Sequence, residues 1–136
     1  MTNDSVTLET IDQLLRFLPL FDVPGRSYVK EWDGGEVDPD GAIAFAAPEY
    51  YDDVLEFFRL AGQTCWSDTE YDPGETRTML SDDQFIATCS LKDIKTLLTY
   101  CVRGERFSAG HWASVLESGC VVAILRRLAV LRESLE

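Results

Sequence analysis

Lysine and histidine are scarce in this sequence. It contains three lysines (Lys30, Lys92 and Lys95) and one histidine (His111), and 12 basic residues face 24 acidic ones, for a formal net charge of −12. Sequence-independent nucleic-acid binding requires several Lys or Arg side chains on one face, and a strongly acidic field repels phosphates and anionic lipids. Direct binding to nucleic acid or to a membrane is therefore not expected.

Familiar catalytic and metal-binding patterns are missing as well. The sequence has no P-loop, Gly-x-Gly-x-x-Gly, Gly-x-Ser-x-Gly or His-Glu-x-x-His pattern. Its cysteines (Cys65, Cys89, Cys101 and Cys120) form no Cys-x-x-Cys pair, and His111 has no cysteine at zinc-finger spacing. A cysteine among apolar residues behaves as a small hydrophobe. We therefore expect buried structural thiols, no metal and no cofactor, and the sequence favours a non-enzymatic protein without excluding an unrecognised enzyme.

Long apolar runs are absent too. No stretch approaches the roughly 18 apolar residues of a membrane span, and Met1–Thr7 lacks the basic region and apolar core of a signal peptide. A chain of 136 residues, 46% of them hydrophobic, is long enough for one well-buried core. We expect a single domain over residues 1–136, located in the cytoplasm.

Three helical patterns follow one another in the last third of the chain. They span Leu91–Arg103, Ala109–Ser118 and Val121–Leu135. Ser90 and Asp93 form a capping-box-like start for the first pattern, Gly104 ends it, and Ser108 can cap the second. Leu97, Trp112 and Leu128 can then meet in one core. We expect this segment to organise the fold.

Earlier in the chain the sequence predicts one more helix and a β-ribbon. After an N-cap at Thr7, apolar residues recur at helical spacing (Leu8, Ile11, Leu14, Leu15 and Leu18), and Pro19 is expected to end the helix. Ser27–Trp32 and Ala42–Ala46 are typical of short antiparallel strands. The connection Asp33–Gly41 partly mimics a calcium loop, but Ala47 occupies the position that requires a bidentate Glu, which favours an acidic hairpin tip.

A further helix is predicted from Pro48 to Ala61, with Pro48 at its first position. Its apolar residues cover more than one stripe: Tyr50, Tyr51, Val54, Leu55, Phe57, Phe58 and Ala61. Two interpretations remain open, namely a central helix contacted on two sides and an aromatic interaction surface. Gln63–Cys89 has no clear pattern beyond a helical turn or two at Glu75–Leu80. The expected fold class is α+β, predominantly α-helical, with about five helices and a small antiparallel β-ribbon.

The densest polar cluster lies between the first two C-terminal helices, and it provides the candidate ligand- or partner-binding residues. They are Tyr100, Arg103, Glu105, Arg106 and His111. Arginine forks near the start of the next helix can bind an anion, and Glu105 with His111 can be imagined as an acid–base pair. The structural interpretation is that the arginines pair with local carboxylates or cap helix carbonyls. We assign no catalytic residue.

The C-terminal third also carries a family resemblance. Its residues are Leu97-Leu98-Thr99-Tyr100-x-x-Arg103-x-Glu105-Arg106-Phe107-x-x-Gly110, then Gly119 and Ala123-Ile124-Leu125-Arg126-Arg127-Leu128. This run resembles the signature of a small prokaryotic family, domain-of-unknown-function family 6508. Leu14-Leu15-x-Phe17-Leu18-Pro19 and Pro48-x-Tyr50 are similar to the family as well. Lys30–Gly41, Asp68–Asp83 and His111-Trp112 depart from it. The resemblance covers most of the chain and implies no activity.

For function, the acidity has two interpretations: solubility, or an acidic face that docks on a basic partner or imitates nucleic acid. The sequence favours a non-enzymatic protein–protein interaction module, an inhibitor or regulator whose partner has a basic surface. The alternative is a small-ligand or anion-binding domain, or an unrecognised enzyme, with its site at the corner Arg103–His111. A homodimer through the broad apolar faces is also open.

Overall fold

The protein is described by a computed structural model that covers residues 6–33, 47–68, 70–106 and 109–135. These residues form seven α-helices, one four-residue helical turn (α2) and a two-stranded antiparallel sheet, which confirms the predominantly helical α+β class. None of these helices is long and apolar enough to cross a membrane. The elements are α1 (Leu8–Leu15), α2 (Leu18–Phe21), β1 (Val29–Asp33), β2 (Ala47–Tyr50), α3 (Asp52–Ala61), α4 (Pro73–Leu80), α5 (Asp83–Thr88), α6 (Leu91–Arg103), α7 (His111–Glu117) and α8 (Cys120–Leu135), with 3₁₀ turns at Thr64–Trp66 and Gly104–Arg106.

The last helix is the one on which the others pack. α8 contacts α1, α2, α5, α6 and α7, and its inward residues Val121, Ile124, Leu125 and Leu128 have no exposed surface. Leu97 joins the same core, and Trp112 packs against it. The expectation that the C-terminal segment organises the fold is confirmed. α3, the predicted central helix, contacts α1 and α6 instead.

The β-ribbon differs from the prediction in its second strand. β1 pairs with β2, with Val29 opposite Tyr50 and Trp32 opposite Pro48. The prediction that Pro48 opens a helix is therefore wrong, since α3 begins at Asp52. A proline is tolerated here because both strands of a two-stranded sheet are edge strands. The predicted strand Ala42–Ala46, like most of the connection Asp33–Gly41, lies outside the described residues.

The first helix also ends earlier than predicted. Thr7 caps α1 as expected, but α1 ends at Leu15, and Pro19 lies inside the short α2 that follows. Pro19 fits there because it occupies the first turn of α2, where a missing backbone N–H breaks no helical hydrogen bond. The sharp turn between α1 and α2 brings Phe17 and Phe21 onto the ring of Phe57.

Two helices in the poorly patterned middle raise the helix number above five. Asp72 caps α4 and Asp82 caps α5, each by accepting backbone N–H groups with its carboxylate. Ile86 on α5 is fully buried. The cysteines are all free; Cys65, Cys89 and Cys101 are buried, as expected of structural thiols, and Cys120 is partly buried.

Candidate functional site

The polar cluster forms the corner where α6 ends and α7 begins. α6 runs to Arg103, as predicted, and Gly104 follows it as the C-cap. α7 begins at His111, two residues later than the predicted Ala109, because Gly110 is the N-cap residue. Gly110 has a left-handed backbone (φ 92°), which favours glycine. The predicted cap Ser108 lies outside the described residues.

The carboxylate of Glu105 is the centre of this corner. It accepts hydrogen bonds from the backbone N–H groups of Gly110 (2.9 Å) and Trp112 (2.9 Å), and from the hydroxyl of Tyr50 (2.8 Å). The backbone bonds serve two free donors at the start of α7, which glycine at the N-cap cannot serve with a side chain. Burial, and then the neighbouring Glu105 carboxylate, raise the pKa of Tyr50. Glu105 therefore joins β2 to the corner and caps α7.

Trp112 fixes the same corner to the helices behind it. Its indole N–H donates to the carbonyl of Val102 on α6 at 3.0 Å. Its ring stacks on Phe58 of α3, with centroids 4.4 Å apart, and lies 5.4 Å from the ring of Tyr50. Aromatic contacts of this kind add about 0.5–1.5 kcal/mol each beyond area burial.

His111 packs against Tyr100 of α6 and against Gly104, the C-cap residue of that helix. Its ring lies edge-on to that of Tyr100, with centroids 5.2 Å apart. A Cβ atom at Gly104 would lie 2.3 Å from the imidazole, so only glycine fits there. The Nε2 atom is buried without a hydrogen-bond partner among the described residues. Burial lowers the pKa of His111, partly offset by the charge of Glu105.

Arg103 and Arg106 are placed differently from the rest of the cluster. The guanidinium of Arg103 lies over the ring of Tyr71, 5.4 Å from its centroid. Arg106 is exposed. Both line a cavity of about 120 Å³ together with Ser67 and Thr99. Within the described part of the chain neither arginine forms an ion pair.

The five predicted residues thus divide into two groups. Tyr100, Glu105 and His111 are built into the packing of the corner, whereas Arg103 and Arg106 face a small cavity. Glu105 is occupied by three donors and the Nε2 of His111 is buried, so this geometry presents neither group to a substrate. Over the described ranges, no group of three or more His, Cys, Asp or Glu residues is placed to hold a metal ion.

A second constellation, which the sequence analysis missed, surrounds Arg26. Its guanidinium donates to the carbonyl of Leu20 (2.7 Å) and to the carboxylate of Asp53 (2.7 Å). The hydrogen bond to Asp53 raises the pKa of Arg26, and this effect is larger than the opposing effect of burial. The same guanidinium contacts three aromatic rings, with its carbon 5.5, 4.9 and 5.9 Å from the centroids of Phe21, Tyr28 and Tyr51. Arg26 thus holds the α2–β1 connection against the start of α3.

Three residues that contact this arginine carry exposed apolar side chains, and a fourth exposed side chain, that of Leu55, follows Tyr51 by one helical turn. Seven large hydrophobic side chains are exposed among the described residues, and four of them belong here: Leu20 (45%), Val23 (46%), Tyr51 (38%) and Leu55 (46%). We call these four residues and Arg26 the Arg26 surface. A cleft of about 680 Å³ adjoins it, between the α2–β1 connection and α7–α8. The unusually wide apolar stripe predicted for α3 was the sequence signal for Tyr51 and Leu55.

Comparisons with known proteins give a family and nothing finer. The model of a family of unknown function, DUF6508, matches residues 6–134. No curated protein and no solved structure matches the chain. The match covers nearly the whole chain, including both helices of the corner and the Arg26 surface, and it agrees with the resemblance seen in the C-terminal third. The chain belongs to the DUF6508 family, whose function is unknown.

Proposed function

We propose that this protein is a non-enzymatic protein-binding module, a regulator or inhibitor, whose Arg26 surface docks a partner with apolar and basic side chains. The observation that carries the proposal is that Leu20, Val23 and Tyr51 are exposed on the segments that hold Arg26, beside a cleft of about 680 Å³ that Val23 helps to line. Scattered exposed hydrophobic residues are ordinary, but several of them on adjoining segments beside a concavity are typical of interaction sites.

The Arg26 surface is pre-organised for binding. Arg26 itself is held by a partly buried ion pair, by the Leu20 carbonyl and by three rings. The backbone N–H of Arg26 also donates to the carbonyl of Val23. A partner therefore meets apolar side chains mounted on a fixed backbone, so that little conformational entropy is lost on docking.

Charge supports a basic partner. The net charge is −12, and exposed Asp52 and Glu117, beside the surface and in the cleft, form no ion pair in the described part of the chain. Complementary charge raises the rate of association and fixes orientation. Two copies of a chain with this charge repel one another, so a basic partner fits the surface better than a second copy does.

The test is affinity capture from a lysate of the source organism with three tagged chains: the wild type, the double variant Leu20→Asp/Leu55→Asp, and the control Leu135→Asp. Leu135 is 49% exposed, like the two target leucines, and lies about 13 Å along the axis of α8 from Arg126 at the cleft. All three chains should remain folded, because each substituted leucine is about half exposed and its replacement costs on the order of 1 kcal/mol.

We expect one basic protein to be enriched by the wild type and by Leu135→Asp, with the double variant at least about tenfold weaker. Raising the salt from about 50 to about 300 mM should reduce capture, since screening weakens charge steering. Equal recovery by the double variant, or no specific protein at low salt, would overturn the proposal. Self-association that the double variant abolishes would replace the basic partner with a second copy.

A further inference from the structure

The small cavity at Arg103 and Arg106 differs in charge from the other clefts. Among the described residues its lining includes two arginines and no carboxylate, in a protein where acidic residues outnumber basic ones two to one. Four larger clefts, of about 280 to 680 Å³, each include at least one Asp or Glu side chain. This cavity is therefore a local exception to the acidic surface.

The two arginines keep their donors available. Five other arginines form ion pairs with carboxylates of the chain, and Arg127 donates to the carbonyl of Cys89. Arg103 instead lies over the face of Tyr71, a contact that leaves the edge of a guanidinium free to donate. A planar guanidinium fork matches the oxygens of a phosphate group.

The rest of the lining supplies room and a further donor. Gly62 lacks the Cβ atom that would lie 3.1 Å from the Phe58 carbonyl and 3.4 Å from Val102 in the cavity wall. The hydroxyl of Ser67 donates to the Gln63 carbonyl across a long 3.4 Å, so it can turn toward a better acceptor. A volume of about 120 Å³ equals roughly four water molecules, enough for one tetrahedral oxyanion.

We infer that this cavity binds a phosphate group, with Arg103 and Arg106 as charged donors and Ser67 as a neutral one. Inorganic phosphate and the phosphate of a small monoester share this chemistry. The inference is independent of the Arg26 surface and does not require the proposed protein partner. Asp68, next in sequence to Ser67 of the lining, forms no ion pair with either arginine in the described part of the chain; its carboxylate accepts from the Thr96 hydroxyl and the Glu70 backbone N–H.

The competing role for these arginines is structural. The cavity lies where α3 and α6 end, and positive side chains offset the negative carboxyl end of a helix dipole. That role predicts that removing an arginine lowers stability equally with and without phosphate. The phosphate site predicts a loss that appears only when phosphate is present, so one titration separates the two.

The experiment measures thermal unfolding of the whole chain against inorganic phosphate and, separately, glycerol phosphate. Sodium chloride at equal ionic strength is the baseline, which removes general screening. The variants are Arg106→Gln, an exposed substitution that leaves the core intact, and Arg103→Lys, which keeps the charge and loses the fork. The matched control is Arg77→Gln, because Arg77 is exposed on α4 and does not line the cavity.

We expect the melting temperatures of the wild type and of Arg77→Gln to rise with phosphate concentration, by more than they rise in sodium chloride at equal ionic strength. Arg106→Gln should weaken the apparent Kd about tenfold or more, and Arg103→Lys by less. Stabilisation by glycerol phosphate at lower concentration than by inorganic phosphate would assign the site to an ester. No stabilisation by either probe, or the same loss in Arg77→Gln as in Arg106→Gln, would overturn the inference.

Discussion

The corner and the Arg26 surface are both held by a charged residue among aromatic rings, but they use it in opposite ways. At the corner, the Glu105 carboxylate satisfies backbone donors and the Tyr50 hydroxyl, and the rings around it are packed together. At the Arg26 surface, the guanidinium is satisfied by Asp53 and Leu20, and the apolar side chains beside it stay exposed. A conspicuous polar cluster can thus be scaffold, while an inconspicuous apolar one offers a surface.

Removing the charge at the corner should have the largest effect on stability. Glu105→Ala should cost about 3 kcal/mol of unfolding free energy, because two backbone N–H groups and the Tyr50 hydroxyl lose a charged acceptor. Glu133→Ala, an exposed site near the end of α8, should change it by less than about 0.5 kcal/mol. Urea denaturation measures both, and equal effects would refute the structural role of Glu105.

A somewhat smaller loss is expected when the corner is overpacked. Gly104→Ala places a methyl group 2.3 Å from the His111 ring and should cost about 2 kcal/mol. In the control Gly74→Ala, the new methyl group meets Asp72 Oδ1 at 3.3 Å, a tight contact rather than a clash, and alanine's higher helix propensity opposes its cost, so the expected change is less than about 1 kcal/mol. Thermal unfolding distinguishes them, and a neutral Gly104→Ala would show that the ring has room to move.

At the Arg26 surface, the fork of the guanidinium is the feature to change. Arg26→Lys should cost about 1 kcal/mol, because the single ammonium group cannot reproduce the forked contacts to Leu20 and Asp53 in a partly buried pair. Arg59→Lys, in an exposed pair with Glu56, should be nearly neutral. If both substitutions had the same effect on unfolding, Arg26 would be no more of an anchor than an ordinary surface arginine.

A dependence of stability on pH is expected from His111. Burial lowers its folded pKa below the unfolded value of about 6.5. The unfolded chain therefore binds more protons, and this contribution to stability is complete above pH about 6.5 and is lost as the pH falls below it.

Comparison with His111→Gln separates the contribution of His111 to the pH dependence from that of the carboxylates, which titrate at lower pH. Between pH about 7 and about 5.5 the wild type should lose more stability than the variant, by at most about 1.4 kcal/mol per pH unit. Parallel curves for the two proteins would show that the imidazole is as free to be protonated in the folded chain as in the unfolded one.

The sequence predictions that are confirmed rest on helix periodicity and on helix caps. The N-cap at Thr7, the capping box at Ser90 and the apolar stripe of α8 are local signals, and each depends on residues only a few positions apart. The helix start predicted at Pro48 is wrong because proline suits both a helix start and an edge strand. Which of the two forms depends on pairing with Trp32, a residue outside the local pattern. The sequence does not reveal Asp72 and Asp82 as caps because the helices that they begin are short, with eight and six residues.

The sequence could locate the candidate site, but it could not show which of the five residues are packed into the corner and which face the cavity. Nothing in the order of residues shows that Glu105 faces Tyr50, or that Tyr71 lies under Arg103, because these partners come from distant parts of the chain. The Arg26 surface was invisible for the same reason, except that Tyr51 and Leu55 widened the apolar stripe of α3. Contacts between distant segments decide which polar residues are scaffold.

The most direct test of the account compares partner capture by Tyr50→Phe and Leu55→Asp. Tyr50→Phe removes one hydrogen bond from the corner and should lower stability by about 1 kcal/mol, yet it should capture the partner as the wild type does. Leu55→Asp should lower stability by a similar amount, about 1 kcal/mol, but should lose capture by about tenfold. Loss of capture by Tyr50→Phe with full capture by Leu55→Asp would place the binding surface at the corner and contradict the account.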